Sequence, residues 1–440
     1  MQPPFLPHSP RRPRRIWVYL LTISTLMIAG LIIWSLDEAP PDVSDLKFAP
    51  LALAETENAY VLLTRAAEQA EQRLTLDPED KTYLDEVSDG HAWDEDRVTK
   101  WLLALEPVWP LYEQAARTPL SQAPIPKSPE DIFPEIGRIR QLSQLSLLRA
   151  RYSLHKNDPE AAITQALITM EAGKRMAESR GSLITYLTGT AIKSFALPII
   201  VEASRHPSCS AHVMRETIAR IEFNRSPDDA LTYALRTELY FCEGVLKIVE
   251  TQGMPELDGN NHSNAAMRLA PRIPLIYKGN KTRRIYAEFL REAISQVEGD
   301  AVSLRRYREQ QKACFKKFSY NPDNIIGRMV LNIVTPTSSA LIKTHLTRQS
   351  FFSAHQALIA ALAYQREHGK APDSLDQLVP VYLDDVPQDY FTRAPIRYDA
   401  ALGAIWSAGE NNLLVSSPNQ KAERNDLIAW LKPEPTPESE

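Results

Sequence analysis

An uninterrupted apolar run near the start of the chain limits its possible folds more than any other feature. Residues 16–36 read IWVYLLTISTLMIAGLIIWSL and contain no charged side chain. A helix that crosses a bilayer needs ~20 such residues, each adding about 1.5 Å along the helix axis. The run therefore predicts one transmembrane helix.

The charges beside this run predict its orientation. Four arginines precede it within six positions, whereas several acidic residues and only Lys47 follow it. A local excess of Lys and Arg marks the cytoplasmic side of a membrane helix. We therefore expect a basic cytoplasmic tail over 1–15, a transmembrane helix over 16–36 in a bacterial inner membrane, and a C-terminal part in the periplasm.

Two alternatives for 16–36 are a cleavable signal peptide and a buried helix of a globular domain. The apolar region of a signal peptide usually spans roughly 7–15 residues and ends near a small-x-small cleavage site. Ala52-Leu53-Ala54 fits such a site but lies far beyond the apolar run. The pattern favours the membrane anchor, and no second span is predicted.

The remaining residues have the composition of folded domains. The net charge is −5 and 44% of residues are hydrophobic, unlike a disordered stalk. Because about 390 residues exceed what one core usually supports, we expect two domains. The predicted divisions are a linker over 37–50, a helical domain over 51–320, a second domain over 321–432 and a disordered tail over 433–440.

Helical patterns dominate the predicted fold, which is mainly α. Apolar residues recur at spacings of three and four in 55–74, 96–117, 136–155, 159–179, 183–205, 211–223, 226–251, 284–318 and 339–368. Asn157-Asp158-Pro159-Glu160 is typical of a helix start, with a capping side chain before proline. The turn within 153–174 is similar to a tetratricopeptide-type hairpin, but its pattern does not recur. We therefore predict an irregular array of α-hairpins.

A small α+β module is predicted after the last long helix, which Gly369 closes. Ser374 and Gln377 have the spacing of a capping box, which predicts a short helix ending at Pro380. Short strands are expected at 396–398, 404–407 and 413–416, with turns between them. Such a sheet would pack on the end of the long helix.

This module resembles the globular domain of type II secretion major pseudopilins. In that family a long helix closed by glycine is followed by a short helix, a proline-aspartate loop and an antiparallel sheet. The resemblance covers 351–430, where 425–430 is similar to the family's closing strand. The matching positions are Tyr364, Gly369, Pro372, Leu375, Leu378, Val379, Pro387, Asp389, Tyr398, Trp406, Ser407 and Gly409. The whole chain also resembles a group of bacterial single-pass membrane proteins with helical middles.

The chain departs from the pseudopilin pattern at two places. The family's prepilin-peptidase site, followed directly by the assembly helix, is absent from the start of this sequence. The loop that binds calcium in that family is here 410–417, which has few carboxylates, whereas calcium takes roughly 6–8 oxygen ligands. The resemblance therefore implies the fold of the module but neither filament formation nor a calcium site.

Two clusters are candidates for chemistry. His206, Cys209 and His212 are potential zinc ligands, although a turn between helices explains them equally well. Acidic residues over 85–96 could hold a cation or act as acid and base, but a solvated loop is the usual explanation. None of the strong catalytic motifs occurs, such as G-x-S-x-G, H-E-x-x-H, a phosphate-binding glycine loop or C-x-x-C. We predict no catalytic residue, cofactor or metal.

The cysteine count does not indicate a disulfide framework. Cys209, Cys242 and Cys314 are an odd number of widely separated residues. At most one pair could form, and the sequence does not choose between the pairs.

A basic stretch over 266–320 is the candidate interaction surface. It could dock on anionic lipid headgroups or on an acidic protein partner, although a solvated face is the simpler interpretation. Nucleic acid is not expected on the outer side of a membrane. The residues that would carry the contact are Arg268, Arg272, Arg283, Arg284, Arg305, Arg306 and Arg308.

The leading functional hypothesis is a membrane-anchored, non-catalytic envelope protein that acts as a binding or assembly scaffold for an unknown protein partner. Concave surfaces of α-hairpin arrays are common binding platforms. The alternatives are a periplasmic hydrolase with a dispersed active site and an accessory subunit of a secretion or pilus system.

The predicted topology can be tested with a reporter fused after Glu440. A periplasm-dependent reporter should be active and a cytoplasm-dependent one inactive. Replacing Arg11, Arg12, Arg14 and Arg15 with neutral residues should weaken this orientation, because the flanking charge bias disappears. Cytoplasmic activity of the unaltered fusion would contradict the topology.

Overall fold

The computed structural model describes residues 14–88, 92–128, 130–131, 133–253, 270–273, 276–319, 323–335, 338–410 and 428–431. They form two compact units. The anchor unit comprises Met1–Asp42, Val245–Tyr286 and Lys316–Val334. The main unit comprises Val43–Gly244, Ala287–Phe315 and Thr335–Glu440. Both units combine distant segments, whereas the sequence predicted consecutive domains divided at 320.

The described residues are mainly α-helical, as predicted, with a small sheet near the C-terminus. The helices in chain order are α1 (Arg14–Ser35), α2 (Ala59–Arg73), α3 (Pro78–Ser88), α4 (Glu95–Leu105), α5 (Trp109–Arg117), α6 (Pro134–His155), α7 (Pro159–Ala177), α8 (Leu183–Arg205), α9 (Ala211–Phe223), α10 (Asp228–Gln252), α11 (Gly279–Ser295), α12 (Ala301–Ser319), α13 (Ile325–Val334) and α14 (Ser338–His368). The strands are β1 (Arg397–Asp399), β2 (Ala404–Trp406) and β3 (Ile428–Trp430).

Two helices in the described part of the chain are long and apolar enough to cross a membrane. Trp17–Ser35 of α1 has a mean hydropathy of 2.0 and is not buried by the rest of the protein. Helix α8 has a mean hydropathy of 1.5, but 67% of it is buried, as expected for a core helix. Helix α1 is therefore the candidate membrane span.

The acidic residues that follow α1 cap a helix of the anchor unit. The Asp37 carboxylate accepts hydrogen bonds from the backbone N–H groups of Asn280 and Lys281, at 2.8 and 3.1 Å. Glu38 pairs with Arg284 at 2.6 Å. Carboxylates are favourable at the start of a helix, where backbone donors lack partners. The beginning of the predicted linker is thus bound to α11.

The later part of the predicted linker packs in the main unit. Leu46 is buried. The ring of Phe48 meets that of Tyr233 edge-on at 5.2 Å, and the Tyr240 hydroxyl donates to the Phe48 carbonyl at 2.9 Å. Aromatic edge contacts of this kind add to the burial of the rings. The segment 43–50 is therefore part of the folded unit.

The closest helix pair of the main unit is α7 with α8, which meet at two glycines. A Cβ built on Gly173 would lie 2.8 Å from the Gly189 carbonyl oxygen, and one built on Gly189 would lie 2.6 Å from that of Gly173. These distances are shorter than side-chain carbons tolerate, so only glycine permits this approach. The backbones of α7 and α8 are thus in direct contact at the centre of the unit.

The C-terminal module consists of the end of α14 and the antiparallel sheet β1-β2-β3. Tyr398 pairs with Ile405, and Ile405 with Ala429. Ile405 and Ala429 pack with Leu358 of α14 in one hydrophobic cluster. The left-handed backbone of Gly369, with φ of 74°, ends the helix as expected of a glycine at this position.

Two predictions of local structure are wrong. Ser374 makes no capping hydrogen bond; instead Gln377 accepts one from the backbone N–H of Asp373 at 2.9 Å, and Leu375–Leu378 is only a 3₁₀ turn. The single helix expected over 284–318 is interrupted at 296–300, because Asp300 and Ser303 cap the start of α12 reciprocally, with both N–H to oxygen distances at 2.8 Å. The strand predicted at 413–416 lies outside the described residues.

Replacing Leu358 with alanine should lower the unfolding free energy by ~2–5 kcal/mol, because this fully buried side chain joins α14 to the sheet. Denaturant unfolding of the detergent-solubilised protein, followed by tryptophan fluorescence, measures the change. Leu103→Ala is the matched control, because Leu103 on α4 is 69% exposed. Equal midpoints for Leu358→Ala and the unaltered protein would contradict the packing described here.

Candidate binding groove

A groove in the main unit is the candidate functional site. Helix α9, the middle of α14 and the loop 382–390 enclose a cavity of about 420 Å³. Its lining consists of Arg215, Ile218, Ala219, Glu222, Arg225, Ser353, Gln356, Tyr382, Leu383, Asp384, Asp385, Val386, Pro387, Gln388 and Tyr390. Both charge signs and several neutral donors and acceptors therefore face one space.

Arg225 forms the floor of the groove and is fixed by α14. Its guanidinium donates to the Gln349 carbonyl at 3.2 Å, to the Ser353 hydroxyl at 3.2 Å and to the Gln356 amide oxygen at 3.1 Å. It also pairs with Glu222 at 3.0 Å and lies over the Tyr390 ring. A guanidinium satisfied by this many partners holds a defined position.

One rim of the groove is closed by charged contacts. Arg215 pairs with Glu367, which also accepts a hydrogen bond from the Tyr382 hydroxyl. That hydrogen bond, together with the Arg215 charge, lowers the pKa of Glu367. The carboxylate is thus held as an anion that links α9, α14 and the loop.

The other rim carries two exposed carboxylates. Asp384 and Asp385 both line the cavity, and neither forms an ion pair with another residue in the described part of the chain. Exposed carboxylates of this kind are available to a cationic group that enters the groove. The groove therefore combines two carboxylates that are available to a ligand with Arg225, whose hydrogen bonds are made within the protein.

Asp389 fixes the loop that forms this rim. Its buried carboxylate accepts hydrogen bonds from the hydroxyls of Ser350 and Ser407, at 3.1 and 2.7 Å. The backbone N–H groups of Phe391 and Ala408 donate to it at 3.0 and 2.8 Å. These donors come from α14, from the loop itself and from the residues after β2. The Asp389 carboxylate therefore joins the loop both to α14 and to the segment after β2.

Lys193 supports the turn that carries Arg225. This lysine on α8 is 2% exposed, donates to the Asn224 carbonyl at 3.3 Å and contacts the Ser226 hydroxyl. Burial lowers its pKa to about 7. The amine satisfies a carbonyl at the end of α9, where helix acceptors lack partners within the helix. Lys193 thus connects the end of α9 to α8 beneath the groove.

A second chain of polar groups, buried except for the partly exposed Asp228, connects three helices. The Tyr186 hydroxyl and His345 Nδ1 are 2.7 Å apart, and His345 Nε2 lies 2.9 Å from the Asp228 carboxylate. Similar chains serve acid-base catalysis when they reach a substrate. Tyr186 and His345 are only 3% and 2% exposed and do not line the groove. The chain therefore ties α8, α10 and α14 together.

The arginines of the predicted basic surface fall in both units. In the anchor unit Arg283 pairs with Glu250 at 2.9 Å and Arg284 with Glu38. In the main unit Arg308 pairs with Glu410. Three further members, Arg272, Arg305 and Arg306, are exposed, and Arg268 lies outside the described residues. A surface that combines all of them stays a prediction.

The candidate zinc ligands make other contacts. His206 Nδ1 lies 2.8 Å from the Ser208 hydroxyl, and His212 lies 3.9 Å from Glu216 on the surface. Cys209 is buried, which raises the pKa of its thiol to about 11. Where the chain is described, no three His, Cys, Asp or Glu side chains are grouped so that they could hold a metal ion. Cys242 is also buried, and the Cys314 side chain lies outside the described set.

Two described members of the acidic cluster over 85–96 cap a helix and form an ion pair. Asp94 caps α4 by accepting from the Arg97 N–H at 3.1 Å, and Glu95 pairs with Lys156. Asp89 and His91 lie outside the described residues. Glu410, at the start of the loop compared with the calcium loop, pairs with Lys343 at 2.8 Å, and the rest of that loop is outside the described residues.

The comparisons with known proteins add no relative. No family model, curated protein or solved structure matches the chain. The resemblance of the C-terminal module to pseudopilins stays a prediction. The geometry of the groove is therefore the main indication of function.

Sequence reasoning did not find most of the groove. Pro387 and Asp389 stood among the positions compared with pseudopilins, but Arg215, Glu222 and Arg225 belong to no motif. The adjacent acids Asp384-Asp385 before a proline were the one local signal, since such a pair is typical of an exposed loop.

The buried amine of Lys193 should make stability depend on pH. The unfolded chain binds this proton up to ~10.4, whereas the folded chain releases it near 7, so folding is favoured increasingly as pH rises between these values. We expect the melting temperature of Lys193→Met to rise less between pH 7 and 9.5 than that of the unaltered protein. Differential scanning fluorimetry of the full chain measures it.

Lys100→Met is the matched control, because Lys100 is exposed on α4. It should follow the pH profile of the unaltered protein. Parallel profiles for Lys193→Met and the unaltered protein would show that Lys193 is not the group responsible.

Proposed function

We propose that the protein is a membrane-anchored, non-catalytic scaffold of the bacterial envelope, and that its groove binds a polypeptide segment of a partner in the periplasm. The observation that carries this proposal is the pairing of a fixed floor with available rim charges. Arg225 is held by α14, whereas Asp384 and Asp385 have no described ion-pair partner. Fixed polar groups around a cavity favour binding because little order has to be imposed on the protein.

The chemistry of the groove suits a segment with a basic side chain. A volume of about 420 Å³ lies in the usual range for ligand pockets, ~300–1,000 Å³. The rim acids would pair with a Lys or Arg side chain, and the Gln356, Ser353 and Gln388 groups offer hydrogen bonds to peptide amides. The partner is therefore proposed to be a protein with an exposed basic residue.

Binding explains the geometry better than hydrolysis. Two arrangements of described residues have catalytic character, Lys193 with Ser226 and Tyr186 with His345 and Asp228. Neither lines the cavity, and only Asp228 among them is partly exposed. A nucleophile or base has to come within hydrogen-bond reach of its substrate. Both arrangements instead connect helices of the main unit.

An accessory role in a secretion or pilus system is the second candidate. It is supported by the C-terminal module, in which a long helix closed by glycine carries a small antiparallel sheet. This order of elements is the one that the resemblance to major pseudopilins implies. In that case the partner would be a subunit of such a system.

The proposal predicts that Asp384→Asn together with Asp385→Asn weakens partner binding by about 10-fold or more, since a hydrogen bond to a charged group contributes ~1.5–3 kcal/mol. The tagged full chain is purified from detergent-solubilised membranes, and co-purified proteins are quantified by mass spectrometry. Asp376→Asn is the control, because Asp376 is an exposed acid of the same module that does not line the groove.

Equal recovery of every partner with the double variant would overturn the role of the groove. Peptide or ester hydrolysis by the purified protein, abolished by the double variant and kept by Asp376→Asn, would replace the scaffold proposal with a hydrolase.

A further inference from the structure

Another cavity lies within the anchor unit, at the C-terminal end of the candidate span α1. It is an open pocket of about 510 Å³, a volume in the range of ~300–1,000 Å³ usual for ligand sites. Its lining includes Ser35, the last residue of α1, and Leu36, together with Arg272, Tyr277 and Asn280. The end of the span and the start of α11 therefore share one space, here called the span-end pocket.

The span-end pocket is fixed to α1 by the two residues that follow Leu36. The Asp37 carboxylate accepts hydrogen bonds from the backbone N–H groups of Asn280 and Lys281. The side-chain amide of Asn280 donates to the Glu38 carbonyl at 2.8 Å. The start of α11 is thus bound directly beside the end of the span, without a free linker between them.

This short connection places the pocket in the headgroup layer when α1 lies in a bilayer. Headgroups extend the ~30 Å hydrocarbon core to ~40–45 Å, which leaves about 5–7 Å on each side. Between Ser35 and Asp37 the chain advances by at most ~7 Å. Trp34 is 43% exposed at the same end of α1, and tryptophan is enriched at the membrane interface. The groups around the pocket therefore lie among phospholipid headgroups.

Arg272 is the charged group of the pocket that is available to a ligand. Glu250 of α10 pairs with Arg283 at 2.9 Å and accepts a hydrogen bond from the Tyr277 hydroxyl at 3.0 Å. The Asp37 carboxylate is bound to the start of α11. Arg272 is exposed and forms no ion pair with another residue in the part of the chain that the structure describes. Its positive charge therefore suits an anionic ligand.

Apolar side chains accompany this charge. Leu36 lines the pocket and is 63% exposed, and Ile273, the neighbour of Arg272 in the chain, is 45% exposed. Exposed apolar side chains become buried when they lie at the boundary between headgroups and acyl chains. A cation with apolar neighbours matches a phospholipid, in which a phosphate is linked to acyl chains.

We propose that the span-end pocket binds the phosphodiester group of a phospholipid from the leaflet around this end of α1. The guanidinium of Arg272 donates to the phosphate oxygens, for which its planar donors are well arranged. Leu36 and Ile273 contact the beginning of the acyl chains. Because headgroups are concentrated in this layer, even a weak site is filled by mass action. The inference rests on the membrane anchor of the proposed function and not on its groove.

Lipid titration of the full chain tests the proposal. Short-chain phosphatidylglycerol is added to the protein in mild detergent, and bound lipid is counted by native mass spectrometry. We expect Arg272→Gln to weaken binding by about 10-fold or more, because a charged hydrogen-bond donor is removed. Arg306→Gln is the matched control, since Arg306 is an exposed arginine of the main unit. Both variants should keep the melting temperature, because both side chains are on the surface.

Two competitors identify the source of the anion. Glycerol 3-phosphate carries a phosphate without acyl chains, and an oligoglutamate peptide carries carboxylates. Neither should displace the lipid at equal concentration, because neither offers apolar groups to Leu36 and Ile273. Displacement by glycerol 3-phosphate would assign the pocket to a soluble phosphate, and displacement by the peptide would assign it to an acidic protein. Either result would overturn the proposal.

Carbonate extraction of membranes reports on the anchor separately. Equal lipid affinity of Arg272→Gln and the unaltered protein would overturn the pocket, even where the protein stays in the membrane pellet. Release of the unaltered protein by carbonate would overturn the anchor together with this inference. Partner capture by the groove does not enter either measurement. Failure of the lipid site and failure of the groove are therefore separate results.

Discussion

The contact between Gly173 and Gly189 determines much of the arrangement of the main unit. Because α7 and α8 meet backbone to backbone, a side chain on either glycine would separate the helices. Lys193, one turn after Gly189, is enclosed by the same contact, and its amine reaches the end of α9 at Asn224. That turn leads directly to Arg225 at the floor of the groove. The close contact between these two glycines therefore helps to set the position of Arg225 at the floor of the groove.

The buried polar groups of the main unit specify which elements pack together. A buried charge or hydroxyl without partners is costly, so each such group restricts its neighbours to those that satisfy it. His345 meets this requirement only between α8 and α10, and Asp389 only between α14, its own loop and the end of β2. Asp384 and Asp385, in contrast, are exposed at the groove and place no such restriction on their neighbours. The groups that stabilise the fold are buried and hydrogen-bonded within the protein, whereas the rim acids proposed to bind a partner are exposed.

Sequence patterns predicted the helices better than their contacts. The bounds of α8 and α9 agree with the prediction, and Asp158 caps α7 as expected, because capping and periodicity act over a few residues. Periodicity reports which face is buried but not what covers it. Arg225 meets α14 more than a hundred positions later, and no local signal contains that partner. The groove was missed for this reason.

The C-terminal module shows why the predicted resemblance to pseudopilins carries little functional weight. Asp389 and Ser407 were among the matching positions, and in this structure they bind each other and close the sheet onto α14. This connection stabilises the fold of the module and does not indicate what the protein binds. The groove is different, because α9 supplies Arg215 and Glu222 from outside the module. A function specific to this protein is therefore better sought where the module meets the helical array than in the module alone.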